Sequence, residues 1–505
     1  MTRRDALLAG VAPLAGAAAA QSTAGSPNRI ERWGLYEASF RGPDAGTPYT
    51  EVQFAADFHF EHRAIAVDGF YDGAGTYRVR FSPDADGEWT FTTRSNRPEL
   101  NGKTGRFVCI PPSAGNHGPV SVRNVWHFGH ADGTSYLPFG TTCYAWTHQG
   151  DALEEQTLAT LKRAPFNKMR MCVFPKSYAF NRNEPPAYAF ARSAQGVNDY
   201  TRVNPVFFQR LEKRVAQLQA MGIQADLILF HPYDRWGYAN MGPENDDRYL
   251  RYAVARLAAY RNVWWSLANE WDLVKTKTLP DWDRFFRIVQ ASDPYQRLRS
   301  IHHSKVIYDH GKPWVTHASI QGDDFDRIPS YLETYRKPLL YDECKYEGNI
   351  QQRWGNISAE EMARRFWIGV TAGAYVGHGE TYLPEKPTDN EVLWWSKGGV
   401  LHGQSAPRIG FLRKLLEAHA PLGLTPLPNP YVPTAVVRDQ YYLYYFDYHQ
   451  PALAAFELPT DASFHAELID PWNMTATPLE GRHQGKFELR LPGKPYLAVQ
   501  FRRAV

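Results

Sequence analysis

The run WWSLANEWD (264–272) decides how the rest of the chain is read. An apolar, β-prone stretch ends abruptly on Asn269-Glu270, as a buried strand does when it delivers a carboxylate at its C-terminal end. The run PLLYDE (338–343) repeats the pattern, apolar and then acidic, and ends on Glu343. Two glutamates at the ends of two buried strands are what hydrolysis of a glycosidic bond with retention needs: one protonated to release the leaving group, one ionised to attack. Asp342 and Glu347 rival Glu343. Strand alternation turns Asp342 away from the interior if Glu343 faces in, and Glu347 falls in the following loop, CKYEGN.

Around these two runs, apolar strands alternate with amphipathic helices from about Val120 to Leu422, the signature of βα repeats. Eight candidate strands cover 136–145, 168–174, 223–230, 262–270, 298–304, 314–321, 338–343 and 373–380, and the stretches FFQRLEKRVAQLQAMG, DDRYLRYAVARLAAYR and AEEMARRFWIGVTAG read as intervening helices. Eight strands in about 300 residues predict a (β/α)₈ TIM barrel. Short alternating runs broken by Gly, Asp and Pro precede and follow it, which predicts flanking β-sandwiches. The expected organisation is multidomain: an N-terminal β-sandwich over 27–113, the barrel catalytic domain over 118–422 and a C-terminal β-sandwich over 423–505. In the last, YYLYYF alternates, so its inward half should be core and its outward half should pack on the barrel. Segments 175–205 and 381–405 follow strand C-terminal ends and are expected to wall a pocket.

Bulk properties narrow the function. The formal charge is +3, with 56 basic and 53 acidic residues and no long basic run, which argues against nucleic acid or an anionic membrane surface as partner. Aromatic residues make up 14% of the chain, a composition suited to sugar stacking although large β-domain cores account for most of it. Residues 1–20 (MTRRDALLAGVAPLAGAAAA) read as an export signal cleaved near Ala20, and the Arg3-Arg4 pair resembles a twin-arginine signal. A periplasmic or secreted protein is therefore expected, without membrane insertion, since no later run is apolar enough to span a bilayer. Cys109, Cys143, Cys172 and Cys344 form no CxxC pair, which disfavours zinc. Cys143 and Cys172 can meet in a disulfide only if their strands are neighbours.

With these residues in hand, the chain resembles the clan A glycoside hydrolases, on ANE after a Trp-rich fourth strand and Glu at the end of the seventh. The opening ERWGLYEASFRGP (31–43) resembles the N-terminal domain of the bacterial apiosidase-like group. The resemblance implies retaining hydrolysis with Glu270 as acid/base and Glu343 as nucleophile, Asn269 on the sugar 2-hydroxyl, and Arg170 beside the nucleophile to keep it ionised; a structural salt bridge is the alternative for Arg170. Other strand-end residues expected at the substrate are His231, His302 or its neighbour His303, His317 or Gln321, and Glu380, which backbone N–H groups can equally satisfy. Tyr144, Trp146, Trp236, Trp394 and Trp395 are candidate stacking walls.

No metal or organic cofactor is expected. The function read from the sequence is a retaining glycosidase acting on plant or microbial polysaccharide or oligosaccharide, with exo action suggested by the long loops. Two alternatives stand beside it. A metal-dependent barrel hydrolase is prompted by His231, His302, His303, His317 and His378, although no HExxH is present. The other is a non-catalytic carbohydrate-binding protein. Glycone identity and oligomeric state are not legible.

Overall fold

The computed structural model describes residues 28–383 and 394–504. The expected export signal and part of the segment 381–405 lie outside the described residues. Among the described residues no helix is long and apolar enough to cross a membrane.

The N-terminal domain is a two-sheet sandwich. One sheet orders Arg29–Glu31, Thr104–Ile110, Gly87–Ser95, Phe54–Phe60 and Arg63–Asp68, and the other orders Tyr36–Arg41, Thr76–Phe81 and Phe70–Tyr71. Alternate residues point inward, as the pleat requires. The two inner faces meet through rings: Phe58 stacks on Phe81 at 4.1 Å and Tyr36 on Phe107 at 4.2 Å.

The central domain is a parallel eight-stranded barrel. Its strands are β1 (Gly140–Thr142), β2 (Lys168–Cys172), β3 (Gln224–Phe230), β4 (Val263–Ala268), β5 (Arg299–Ser300), β6 (Ala318–Gln321), β7 (Leu339–Glu343) and β8 (Tyr375–His378). Around it run α1 (Asp151–Leu161), α2 (Pro205–Ala220), α3 (Pro243–Leu257), α4 (Leu279–Ser292), α5 (Ile328–Tyr335), α6 (Ala359–Ala372) and α7 (Ser405–His419). Strand ladders link every neighbouring pair except β5 and β6. At that seam Thr316 takes over: its amide donates to the Arg299 carbonyl at 2.9 Å and its hydroxyl accepts from the Arg299 amide at 2.7 Å. The β5–β6 connection has no helix because YDHGKP carries turn residues and no helical apolar period. It is tied to α4 instead, with Lys312 Nζ donating to both Asp283 oxygens at 2.7 and 2.8 Å.

The WWSLANE run behaves as a barrel strand. Trp265 faces outward and donates to Asp293 Oδ2 at 2.9 Å, while Trp264 faces inward and donates to Gln224 Oε1 at 3.1 Å. Below Trp264 a small antiparallel sheet (Val120–Arg123, His127–His130, Ser135–Tyr136) closes the N-terminal end of the barrel. Its Phe128 lies 5.1 Å from the Trp264 ring, 5.8 Å from His317 and 5.9 Å from Tyr375. His317 thus belongs to the barrel floor and not to the mouth.

The C-terminal domain packs a six-stranded sheet against a two-stranded one. In the strand Tyr441–Tyr445 and the residue after it, Tyr442, Tyr444 and Phe446 enter the sandwich core, while Tyr441, Leu443 and Tyr445 join the barrel's core. Tyr445 reaches Trp367 of α6 at 5.5 Å, and Arg364 of the same helix pairs with Asp447. The alternating aromatic run is therefore one strand serving two cores.

Phe128 is 1% exposed and packed among the rings of Trp264, His317 and Tyr375. Phe128→Ala should cost about 3–5 kcal/mol, read as a lowered urea midpoint with an unchanged m-value; a loss below 1 kcal/mol would show that the floor sheet is dispensable.

Candidate active site

The site is organised by β2. Lys168 and Arg170 are two residues apart, so both face one side of the strand, here the barrel interior. Lys168 Nζ lies 2.5 Å from Asp226 Oδ2 and 2.9 Å from Asp342 Oδ1, and Ser319 Oγ donates to Asp342 Oδ2 at 2.5 Å. One layer higher, Arg170 Nη1 donates to Glu343 Oε1 at 3.1 Å and to Tyr144 Oη at 2.7 Å.

Consecutive Asp342 and Glu343 thus both face inward, which corrects the expectation from strand alternation. The reason is a β-bulge. Ile320 pairs with Tyr341 and Gln321 with Glu343, so Asp342 is an extra residue in β7. A bulge lets two successive side chains point the same way. Asp342 is taken up by Lys168, and Glu343 is left at the mouth.

Glu270 follows β4 with φ 51° and ψ 56°. This left-handed corner costs a non-glycine residue about 1 kcal/mol, and such strain gathers at functional sites. Three neighbours hold its carboxyl: the Tyr233 hydroxyl donates to Oε2, Asn269 Nδ2 donates to Oε2 at 3.2 Å, and Gln321 Nε2 donates to Oε1 at 3.4 Å. Tyr144 Oη donates to Asn269 Oδ1 at 3.0 Å. A continuous path therefore runs Glu343, Arg170, Tyr144, Asn269, Glu270. On the other side Gln321 bonds to Glu270, and its backbone is paired in register with Glu343.

Burial pushes the Glu343 carboxyl up to about 8, with the nearby Tyr346 hydroxyl pulling it down. The Arg170 guanidinium is the opposite charge that favours the ionised form. His302 lies 3.6 Å from Glu343 Oε1 through Nε2 and accepts or donates at Ser319 Oγ through Nδ1 at 3.1 Å. Burial, reinforced by the Arg170 charge, holds it far below the usual histidine range and so neutral.

The mouth is lined by an aromatic cluster of Tyr144, Tyr346, Trp395, Tyr178, Phe180 and Trp354. Tyr144 and Trp395 were legible; Tyr178, Phe180, Tyr346 and Trp354 were not singled out, although they too follow β2 and β7. Lys176 is the other residue missed. It is 2% exposed, and its ammonium sits 3.4 Å from the Tyr144 ring centre, 4.3 Å from Tyr233 and 4.8 Å from Tyr178. Burial lowers it to about 8, against the pull of Glu270. Its cation–π contacts clamp the two tyrosines that hold the carboxyl network. A lysine after a strand among aromatics was the available signal.

Several expected substrate contacts lie elsewhere. Trp146 is fully buried with its Nε1 on Met171 Sδ at 2.9 Å, and so packs in the core. Trp236 is 4% exposed and donates to Glu184 Oε2 at 2.8 Å, bracing one loop against another. Buried His231 contacts the Phe174 carbonyl at 3.2 Å through Nε2, and Trp394 donates to Thr141 Oγ1 at 2.8 Å inside the barrel. Glu380 accepts from the amides of His402 at 2.5 Å and Gly403 at 2.8 Å, and Glu347 from those of Gln404 at 2.7 Å and Ser405 at 3.1 Å. The Gln404 and Ser405 amides are unpaired donors at the start of α7, those of His402 and Gly403 lie in the turn leading into it, and the approach is so close that a Cβ on Gly403 would meet Glu380 Oε2 at 2.5 Å. Glu347, Glu380 and His378 are the one metal-compatible trio among the described residues, but both its carboxylates are committed to backbone amides. All four cysteines are free. The strands of Cys143 and Cys172 are neighbours, yet Cys143 enters the outer core and Cys172 the mouth cluster.

An attacking carboxylate must be ionised, so if Glu343 is the nucleophile kcat/KM should fall as pH drops through its pKa. Arg170→Met removes the counter-charge, so that limb should move up by about 1–3 pH units. A profile superimposable on the wild type would remove Arg170 from this role.

The comparisons with known proteins follow the same domains. Residues 123–420 match the family described as apiosidase-like, catalytic domain; residues 29–96 and 431–502 match the domains of unknown function DUF5060 and DUF5605. A solved candidate glycoside hydrolase from Bacteroides vulgatus is 38% identical, with TM-score 0.89, over 94% of this chain and 100% of that one. A family 5 glycoside hydrolase from Bacteroides vulgatus shares the fold at 14% identity and TM-score 0.58, over 76% of this chain and 93% of that one. No match was found among the curated proteins. With well over half of its length matched by the catalytic-domain family, the chain belongs to the apiosidase-like family and is a glycoside hydrolase.

Proposed function

We propose that the chain is a retaining glycosidase working by double displacement, with Glu343 as nucleophile and Glu270 as acid/base. The observation that carries this reading is the hydrogen-bond path joining the two strand-end carboxyls through Arg170, Tyr144 and Asn269, with Gln321 bonded to Glu270 from the strand position paired with Glu343. That path orders both acids at one end of the barrel, and a retaining pair needs carboxyls about 5–5.5 Å apart.

Glu343 attacks the anomeric carbon as Glu270 passes its proton to the leaving oxygen. Water then attacks the glycosyl-enzyme, giving its proton to Glu270, and the C1–Oε bond breaks to return the Glu343 carboxylate. Arg170 neutralises Glu343 between turnovers. The Asn269 side chain, anchored by Tyr144, is the candidate contact to the sugar 2-hydroxyl. Gln321 Oε1 is buried without a hydrogen bond among the described residues, which supports a ligand that brings a hydroxyl donor. The substrate is a plant or microbial polysaccharide or oligosaccharide attacked from its end at an aromatic-walled mouth. Arg3-Arg4 and the apolar run to Ala20 support export to the periplasm or beyond.

The test is a panel of aryl pyranosides and furanosides with product stereochemistry read by NMR. Glu343→Gln should lose about 10⁴-fold or more in kcat, the scale on which a missing nucleophile acts. Glu270→Ala should lose about 10²–10⁴-fold and recover with azide, yielding a glycosyl azide of retained configuration. Inverted product would overturn double displacement. Sugar binding without turnover, equal in wild type and Glu343→Gln, would favour the non-catalytic reading.

A further inference from the structure

Away from the mouth, a cleft of about 950 Å³ opens between the N-terminal sandwich and α3 of the barrel. Domain borders are where ligand sites are commonly built, and this volume lies within their range. One wall carries Asp68, Tyr71 and Arg94, the other Arg251 and Tyr252, and Tyr49 lies at one edge.

The wall chemistry is specific. Asp68 and Arg251 face the same space from different domains, and neither side chain makes a hydrogen bond or ion pair within the described residues. Asp68 is exposed to solvent, yet the walls around it raise its carboxyl above the usual range, with Arg251 and Arg94 opposing. That combination marks a concave, wet site. A group that fills it must accept from a guanidinium and donate to a carboxylate together, which a hydroxyl does. Arg94 is already held by two bonds to Asp57 at 2.6 and 2.9 Å, so one edge of its fork is pre-oriented at little entropic cost. The half-buried rings of Tyr49 and Tyr71 supply apolar faces. Charges in the lining balance, with Arg94, Arg248 and Arg251 against Asp68, Glu244 and Asp247, which disfavours a phosphate or a polyanion.

The position also fits. Tyr49 packs at 5.1 Å on Tyr252 and at 6.3 Å on Phe190. Phe190 begins the hairpin Phe190–Arg192 and Asn198–Val203, which belongs to the long segment after β2 that also carries Tyr178 and Phe180 of the mouth. The cleft therefore borders the outer side of the loop that walls the active site.

We propose that this cleft is a second carbohydrate-binding site, which grips neutral sugar units of a polysaccharide while another part of the chain is at the mouth. Holding the polymer at two points raises its effective concentration at the catalytic residues. The proposal rests on the chain being a glycosidase and is independent of the retaining mechanism.

Affinity gel electrophoresis of the full chain through galactomannan, arabinoxylan and pectic galactan tests it. The wild type and Glu343→Gln should be retarded equally by at least one of these polymers. In Asp68→Ala/Arg251→Ala the dissociation constant should rise at least tenfold, while melting temperature and aryl glycoside hydrolysis stay as in the wild type. If the double variant melts early, Arg251→Ala alone, exposed on α3, carries the same comparison. Free migration of the wild type in all three gels, or equal retardation of the cleft variants, overturns the proposal. Residual full activity in Glu343→Gln would instead sink the nucleophile assignment and leave the cleft result standing.

Discussion

Two cations on one short strand govern this barrel. Lys168 and Arg170 are 2% and 1% exposed, and a charge taken so far from water costs several kcal/mol unless it is paired. Their partners must therefore come from other strands and at matching heights. Asp226 of β3 and Asp342 of β7 meet Lys168, and Glu343 of β7 meets Arg170. The demand for two acids from the same strand, one above the other, is met by the extra residue in β7. The bulge, the bond from β6 to β7 through Ser319 and the placing of Glu343 all follow from balancing those two charges.

Above this charged ladder the mouth is built from the segments that leave the strand C-termini. Tyr144 after β1, Lys176 and Tyr178 after β2, Tyr233 after β3 and Trp395 beyond β8 converge on one cationic group. Rings and ammonium order one another, and the tyrosine hydroxyls are then free to serve Glu270, Arg170 and Asn269. The left-handed turn at Glu270 is sustained only within such support. Below the ladder, Trp264, His317 and Phe128 close the barrel with rings.

Much of this was legible because a buried parallel strand has to be apolar along its length and can turn polar only at its end. WWSLANE and PLLYDE announce themselves for that reason, and the YYLYYF alternation told that one strand would serve two cores. The pairing of Arg170 with Glu343 was expected from the resemblance, and its geometry agrees. Where a residue's use depended on its rotation about the chain, sequence was blind. Trp146 and Trp395 are both tryptophans after barrel strands, yet one supports the core and one lines the mouth. For Glu380 the sequence left a sugar hydroxyl and backbone N–H groups as alternatives, and only the turn leading into α7 decides for the backbone.

The sequence by itself determined the order of domains, the eight-strand repeat and the two glutamates, since these rest on local periodicity and on where apolar runs stop. Only the tertiary structure decided which of two adjacent acids reaches the mouth, that a buried lysine clamps its tyrosines, and that a cleft joins two domains. Each of those depends on register and on contacts between residues far apart in the chain, and a single inserted residue in β7 was enough to reverse the face that simple alternation assigns.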